Sequence, residues 1–349
     1  MEETLIYKVQ QYQTIHSKAI IDFTNITHQG NTGGSAIKAT ISTGILPSQS
    51  QMILDDCKFE ECRSEKGDGG AIHTDIYGQY IMTSTTFKKC VGKNGGGIYS
   101  NNERGDYQIG QSCSFTECQS VIGNGGGLYM SIISLGKFIV APGTLFKDNQ
   151  ARNVSDTIKT PPTNPPPTGY GGGIFLYTGD TGYLGDSFPT TTNFDLSGAL
   201  YYNNTADNGG QSLYVVSLSL NELCLMEQIR TDHGKYIKGN YSDFISDEKE
   251  LQGCWLSISE FNALTPLLDD PLLDNVSFYQ QNLWRLWTPP DPHVSPNPPI
   301  PPDNYLWYVQ FRLNGQYPYS RGRDVFGCGW YDDPCASLDF ALDEISYRL

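Results

Sequence analysis

The chain has 349 residues, with 23 Lys+Arg against 38 Asp+Glu and a formal net charge of −15. That acidity excludes a nucleic-acid partner, because phosphate backbones would be repelled, and no apolar run reaches the length of a membrane span. With 37 Gly, 20 Pro and 22 Tyr and few helix-period runs, the composition excludes a helical bundle and predicts many short strands joined by tight turns.

The opening residues, Met1 to Leu5, contain neither a basic nor an apolar region and do not read as a signal peptide. The organising feature is a repeated phrase. It is Phe59-Glu60-Glu61-Cys62 with Gly69-Gly70-Ala71-Ile72, then Phe87-Lys88-Lys89-Cys90 with Gly95-Gly96-Gly97-Ile98. The third copy is Phe115-Thr116-Glu117-Cys118 with Gly125-Gly126-Gly127-Leu128. The Phe-to-Phe step is 28 residues both times, a period that marks a stacked repeat architecture. An early copy is Phe23-Thr24-Asn25-Ile26 with Gly33-Gly34. Later ones are Phe146-Lys147-Asp148-Asn149 with Gly171-Gly172, and Leu200-Tyr201-Tyr202-Asn203 with Gly209-Gly210, which makes six copies across residues 1–225.

Two or three short strands per copy cannot bury an apolar face alone, whereas stacking equivalent strands of successive copies can. The expected fold is therefore all-β, a right-handed parallel β-helix of about six coils, each climbing about 4.8 Å, with the hand taken from the rule for parallel crossovers. Phe59, Phe87, Phe115 and Phe146 should stack as an internal aromatic column. Cys62, Cys90, Cys118, Asn149 and Asn203 should form a second column at a turn, where Asn can bond the neighbouring coil and Cys is a small buryable substitute. The paired glycines supply positive φ or let coils approach closely.

The pairing of F-x-x-N, here often F-x-x-C, with G-G-A-I resembles the repeat of the polymorphic outer membrane proteins of chlamydiae, which also occurs in surface proteins of some protists. The resemblance covers roughly residues 20–215, with Gly69-Gly70-Ala71-Ile72 matching the tetrapeptide letter for letter. It implies a pectin-lyase-like β-helix, an extracellular or cell-surface location and an adhesive role; the lack of a catalytic constellation makes that role non-catalytic in expectation. It does not imply that family's outer-membrane β-barrel, because no such domain follows in this chain.

The proline stretch from Thr160 to Thr168 interrupts the fifth copy and should be an external loop, and the stretch 183–192 should be another. Residues 226–287 break the repeat and read as a mixed cap over the last coil, with a helical stretch from Ser259 and a candidate disulfide between Cys224 and Cys254. Residues 288–303 hold eight prolines and read as an extended linker; a docking site for an SH3-like domain is the sharper alternative. Residues 304–349 form a small α+β appendage, similar to the opening of extracellular β-helix domains: a strand, a CG…PC pair and a capping helix. The resemblance implies an oxidising location, and there Cys328 and Cys335 are expected to pair. Leu338, Phe340, Leu342 and Ile345 lie on a candidate assembly helix. Because a further β-helix would be expected where the chain stops, the chain is expected to be part of a larger protein.

Gly95-Gly96-Gly97 is not a phosphate loop, since no GK[ST] follows and the glycines recur at the coil period. Gly67-Asp68-Gly69-Gly70 faintly resembles calcium-binding β-roll repeats, but those need a nine-residue period. The five histidines show no metal-ligand spacing, and His73 stands where later copies carry Tyr99 and Tyr129. No cofactor, metal site or catalytic residue is expected. Sequons place candidate glycosylation at Asn153, Asn25, Asn240 and Asn275, with Asn203 excluded as an inward residue. Expected partners are other copies of the chain or a related β-helix module, and glycans or surface proteins. The alternatives are a polysaccharide lyase or hydrolase, which needs carboxylates at matching positions on adjacent coils, and a self-assembling fibre subunit. Glu60 and Glu61 followed by Lys88 and Lys89 read instead as cross-coil charge pairing on a solvated face.

Overall fold

The computed structural model describes residues 5–9, 14–17, 22–24, 35–41, 51–76, 78–103, 105–133, 136–154, 167–178, 194–225, 234–241, 250–264, 280–283 and 286. The Pro-rich segments at 160–166 and 288–303, the appendage at 304–349, Cys328, Cys335 and the 337–345 segment lie outside these residues, as do Asn25 and Asn275.

Local pattern sets the strands. In Gln79–Thr83, Tyr80 and Met82 point inward and are buried while Gln79, Ile81 and Thr83 are half-buried. Asp106–Ile109 and Lys137–Val140 repeat that alternation, the period-2 signature of a strand with one face on a core. In Lys58–Glu60, Thr86–Lys88 and Ser114–Thr116, the central Phe alone is buried. Such short strands persist because each is paired on both sides.

The chain is mostly β, with long parallel sheets and few helices, an arrangement compatible with a β-helix-like solenoid. Among the described residues, four sheets of nine, seven, six and five strands hold the strands. Successive strands along the chain enter different sheets, and each sheet gains one strand per copy. The nine-stranded sheet runs through Leu5–Val9, Ile37–Ile41, Ile72–Ile76, Ile98–Glu103, Leu128–Ile133, Ile174–Thr178, Leu213–Val216, Gln252–Cys254 and Gln280–Asn282. The pairing is in register with the phrase: Phe59 faces Phe87, Phe87 faces Phe115, Phe115 faces Phe146, and Ile72 faces Ile98.

Corners explain the phrase. Glu61, Lys89, Glu117, Asp148 and Asn203 adopt φ of 54, 53, 55, 53 and 51°. Left-handed backbone at a non-glycine residue costs on the order of 1 kcal/mol. Here the amides of the first four each donate to the next coil's carbonyl, Lys88, Thr116, Lys147 and Tyr202 in turn, at 2.9 to 3.0 Å. The two glycines of each pair do different jobs. Gly95 is left-handed at φ 64°, whereas a Cβ on Gly96 would fall on the Gly126 carbonyl oxygen and the Gln119 amide of the next coil.

The interior is a series of columns. The Phe59–Phe87, Phe87–Phe115 and Phe115–Phe146 ring centroids are 4.9, 4.7 and 4.8 Å apart, with planes within 8°. At that spacing parallel rings are offset-stacked, which adds about 0.5–1.5 kcal/mol per pair beyond area burial. A second run of small buried residues, Cys57, Thr85, Cys113, Thr144 and Ala199, lines the opposite end of these strands.

Parallel pairing runs past residue 225, where the phrase ends. Asn240–Tyr241 adds to the seven-stranded sheet beside Ala199–Tyr202, and Gln252–Cys254 adds to the nine-stranded sheet. Gln280–Asn282 then pairs antiparallel with Gln252–Cys254, ending the parallel progression. The helix Leu220–Leu225 sends Leu220, Leu223 and Cys224 into the core beside Ile237, Leu251 and Leu283. A second helix, Ile258–Ala263, starts at a capping box in which Ser257 and Glu260 bond each other's backbone. Its Phe261 covers Tyr170, Phe175 and Tyr214 on the outer face of the nine-stranded sheet, making a second core.

Candidate functional site

The turn column follows one rule with two chemistries. Cys90 Sγ donates to Phe59 O and Cys118 Sγ to Phe87 O, each at 3.6 Å. Asn149 Nδ2 donates to Phe115 O and Asn204 Nδ2 to Phe146 O, each at 3.0 Å. Each side chain thus satisfies the carbonyl of the aromatic residue one coil back. Asn adds an acceptor: Asn149 Oδ1 takes the Cys118 amide at 2.9 Å, and Asn204 Oδ1 takes the Asn149 amide at 3.1 Å.

The residue in this column is Asn204, not the expected Asn203. Tyr201 pairs with Phe146 and Leu200 with Leu145, so the phrase in this copy is shifted by one. By apolarity Leu200 matches the buried ring, but the strand's alternation points Ala199 and Tyr201 inward. Asn203 instead takes the left-handed corner, and its Nδ2 donates to Asp148 Oδ1 at 2.7 Å.

The seven described cysteines are buried thiols. Burial raises the Cys113 thiol to about 11 and pushes Cys118 up as well, so these two thiols stay protonated and unreactive, whereas hydrogen bonds from Cys118 and then Cys62 pull Cys90 down. The Cys224–Cys254 bridge expected for the cap does not form: Cys224 packs in the central core and Cys254 in the outer cluster under Phe261. Among the sequons, Asn153 is exposed, with its amide donating to Asp207 Oδ2 at 2.9 Å. Asn240 is exposed and its Nδ2 donates to Ser197 O at 3.1 Å.

The Gly-Asp-Gly-Gly and Gly-Asn-Gly-Gly turns form a side-chain ladder. Asn94 Nδ2 donates to Asp68 Oδ1 at 2.8 Å, Asn94 Oδ1 takes the Asn124 amide at 2.9 Å, and Asn124 Oδ1 takes the Tyr170 amide at 3.0 Å. Among the described residues no three His, Cys, Asp or Glu side chains gather as a metal site.

Two outward surfaces vary from coil to coil. On the outer face of the nine-stranded sheet, His73, Tyr99 and Tyr129 are in register, with centroids 5.0 and 4.8 Å apart. His73 Nε2 lies 3.4 Å from Asp75 Oδ2, and its Nδ1 is 3.3 Å from Asp68 O. The hydrogen bond from His73 holds the Asp75 carboxyl below its ordinary value, against the opposing effect of burial. Burial, and then the charges of Asp68 and Asp75, raise the Tyr99 phenol. The row's rings cover one another's faces.

The other surface is an open groove of about 460 Å³ where the seven-stranded sheet turns into the five-stranded one. One wall is the left-handed corner: Lys89, Glu117 and Asp148. The floor and far wall are the outward residues of the five-stranded sheet: Arg63, Val91, Gln119 and Gln150. Gln119 Nε2 donates to Gln150 Oε1 at 3.4 Å, and Arg63 Nη2 bonds Glu65 Oε1 at 2.6 Å. Charge pairing behaves differently on the adjacent row, where Glu60 lies 2.6 Å from Lys58 and 3.7 Å from Lys88. Lys89 and Glu117, at equivalent coil spacing in the groove, enter no ion pair among the described residues. The groove was not legible in the sequence. In F-x-x-C the two middle residues look alike, and only the left-handed turn at the second sends it to the corner.

No helix among the described residues is long and apolar enough to cross a membrane. No family model, curated protein or solved structure matches the chain.

Proposed function

We propose that this chain is a right-handed parallel β-helix of the polymorphic outer membrane protein repeat type, acting at the cell surface as a non-catalytic structural and adhesive rod. The observation that carries this reading is the division between inside and outside. Interior positions repeat coil by coil as Phe, then Cys or Asn, then glycine pairs, while outward rows such as Arg63, Val91, Gln119 and Gln150 do not. A scaffold that keeps its core constant and varies its faces suits the display of binding surfaces. Fully buried thiols suit an oxidising location, because they sit out of reach of oxidants.

The partners on this reading are surface glycans or proteins, and other copies of the chain. The test is a glycan array combined with a reducing-sugar assay on the arrayed polysaccharides. Binding without turnover is the expected result. Turnover abolished by one carboxylate substitution would replace the adhesive reading with a polysaccharide lyase or hydrolase. Concentration-dependent growth in light scattering would instead identify a fibre subunit.

A further inference from the structure

We infer that the corner groove is a binding site for a glycan bearing a carboxylate-carrying sugar, with the acid seated at the Arg63–Lys89 end. This deepens the adhesive reading and rests on it. The groove crosses four coils, from Arg63 to Gln150, a span of about 14 Å taken as three steps of about 4.8 Å. Along that span its chemistry is graded. Arg63 and Lys89 stand at one end, the amides of Gln119 and Gln150 line the floor, and Glu117 and Asp148 stand at the other end.

Each part matches a feature of such a ligand. Guanidinium and ammonium groups bind a carboxylate through charge-assisted hydrogen bonds, and the guanidinium can do so in a bidentate fork. Side-chain amides and carboxylates both serve sugar hydroxyls, which donate and accept at once. Val91 is the apolar residue of the floor, and it is buried. The chain's charge of −15 opposes a polyanion but permits one local carboxylate beside two cations, since screening confines the repulsion to about 10 Å at ordinary salt. Two of the four charged heads are also available, whereas Arg63 already bonds Glu65 and Asp148 already bonds Lys147 and Asn203. Lys89 and Glu117 sit one coil apart and enter no ion pair among the described residues, in contrast to Glu60 and Lys88 on the neighbouring row. A surface shaped only for stability would pair them.

The experiment is isothermal titration calorimetry of the full chain with a trisaccharide ending in a uronic acid, and with the same trisaccharide as its methyl ester. The acid is expected to bind at least about tenfold more tightly than the ester, the loss of one charge-assisted contact. The double variant Arg63→Gln, Lys89→Gln should abolish that preference while leaving the thermal midpoint unchanged, because both side chains are exposed. Gln150→Ala should weaken acid and ester by the same factor. Equal binding of acid and ester, an unaffected double variant, or acetate alone competing as well as the trisaccharide would each overturn the proposal. Wild-type adhesion to an array with no effect of the double variant would sink the groove site and leave the adhesive reading standing. No adhesion to any surface glycan or protein would sink both.

Discussion

The middle coils and the closing coils of this chain solve the same packing problem by different means. Between Cys57 and Arg152 the rings of Phe59, Phe87, Phe115 and Phe146 lie within 8° of parallel at 4.7 to 4.9 Å. From Ala199 onward the column loosens: Phe146 to Tyr201 is 5.8 Å with planes 33° apart, and Tyr201 to Tyr241 is 5.6 Å. The closing coils gain in exchange a second core outside the sheet, built by Phe261 on Tyr170, Phe175 and Tyr214. Repetition suffices where every coil has two equal neighbours. Among the described residues the last parallel strand, Gln252–Cys254, has no further parallel neighbour, and helices and an antiparallel strand supply contacts there instead.

Five substitutions would break or sharpen that contrast. The largest effect is expected from Gly96→Ala, because its Cβ meets backbone on the next coil and neither coil can yield without losing ladder bonds. A loss above about 5 kcal/mol, seen as failure to fold by circular dichroism, is the expected outcome. Retention of native signal would mean the coils are not rigidly spaced. Phe115→Ala, in the centre of the ring stack, should cost about 3–5 kcal/mol in urea unfolding. Phe261→Ala removes a similar volume, but hydrogen exchange should rise only around 170–177, 213–216 and 254–264. A global loss there as large as that of Phe115 would erase the distinction between the two regions.

Tyr201→Phe is expected to stabilise by about 1 kcal/mol, since its buried hydroxyl has no hydrogen-bond partner among the described residues and deleting it removes a desolvation cost. An unchanged or lowered urea midpoint would show that a partner exists. The smallest effect is at Asp75. Its carboxyl is held below the ordinary range, chiefly by the hydrogen bond from His73. Its contribution is therefore present above the unfolded-state value and lost as pH falls through the folded one. Asp75→Asn should lower stability by a fraction of 1 kcal/mol at neutral pH, and the difference from wild type should vanish in acid. A difference that persists at low pH would rule out the charge as its source.

Much of the middle was legible because the phrase has a fixed period, and period alone implies which residues share a column. The register of Phe59, Phe87, Phe115 and Phe146 and the placement of Cys62, Cys90 and Cys118 beside them follow from it. The copy at 200 sits one residue later than the phrase implies, because Leu200 looks more like a core residue than Tyr201 until strand alternation is imposed. The helix Leu220–Leu225 was not legible, since at six residues it has too few positions to show a period. The helix Ile258–Ala263 was visible in outline, and its capping box at Ser257 and Glu260 could have set its start.

By itself, then, the sequence determined the repeat, its all-β parallel character and the residues that fill its interior. These depend on identity recurring at a fixed step, and stacking turns that recurrence directly into contact. Only the tertiary structure decided what the outward side chains do. Whether Glu60 or Glu61, Lys88 or Lys89, faces the sheet or the corner depends on one left-handed residue per coil. The grading of the groove likewise exists only once four coils are laid side by side. Contacts across coils link residues about 30 apart in the chain, and no local pattern encodes which charges then pair and which remain open to a ligand.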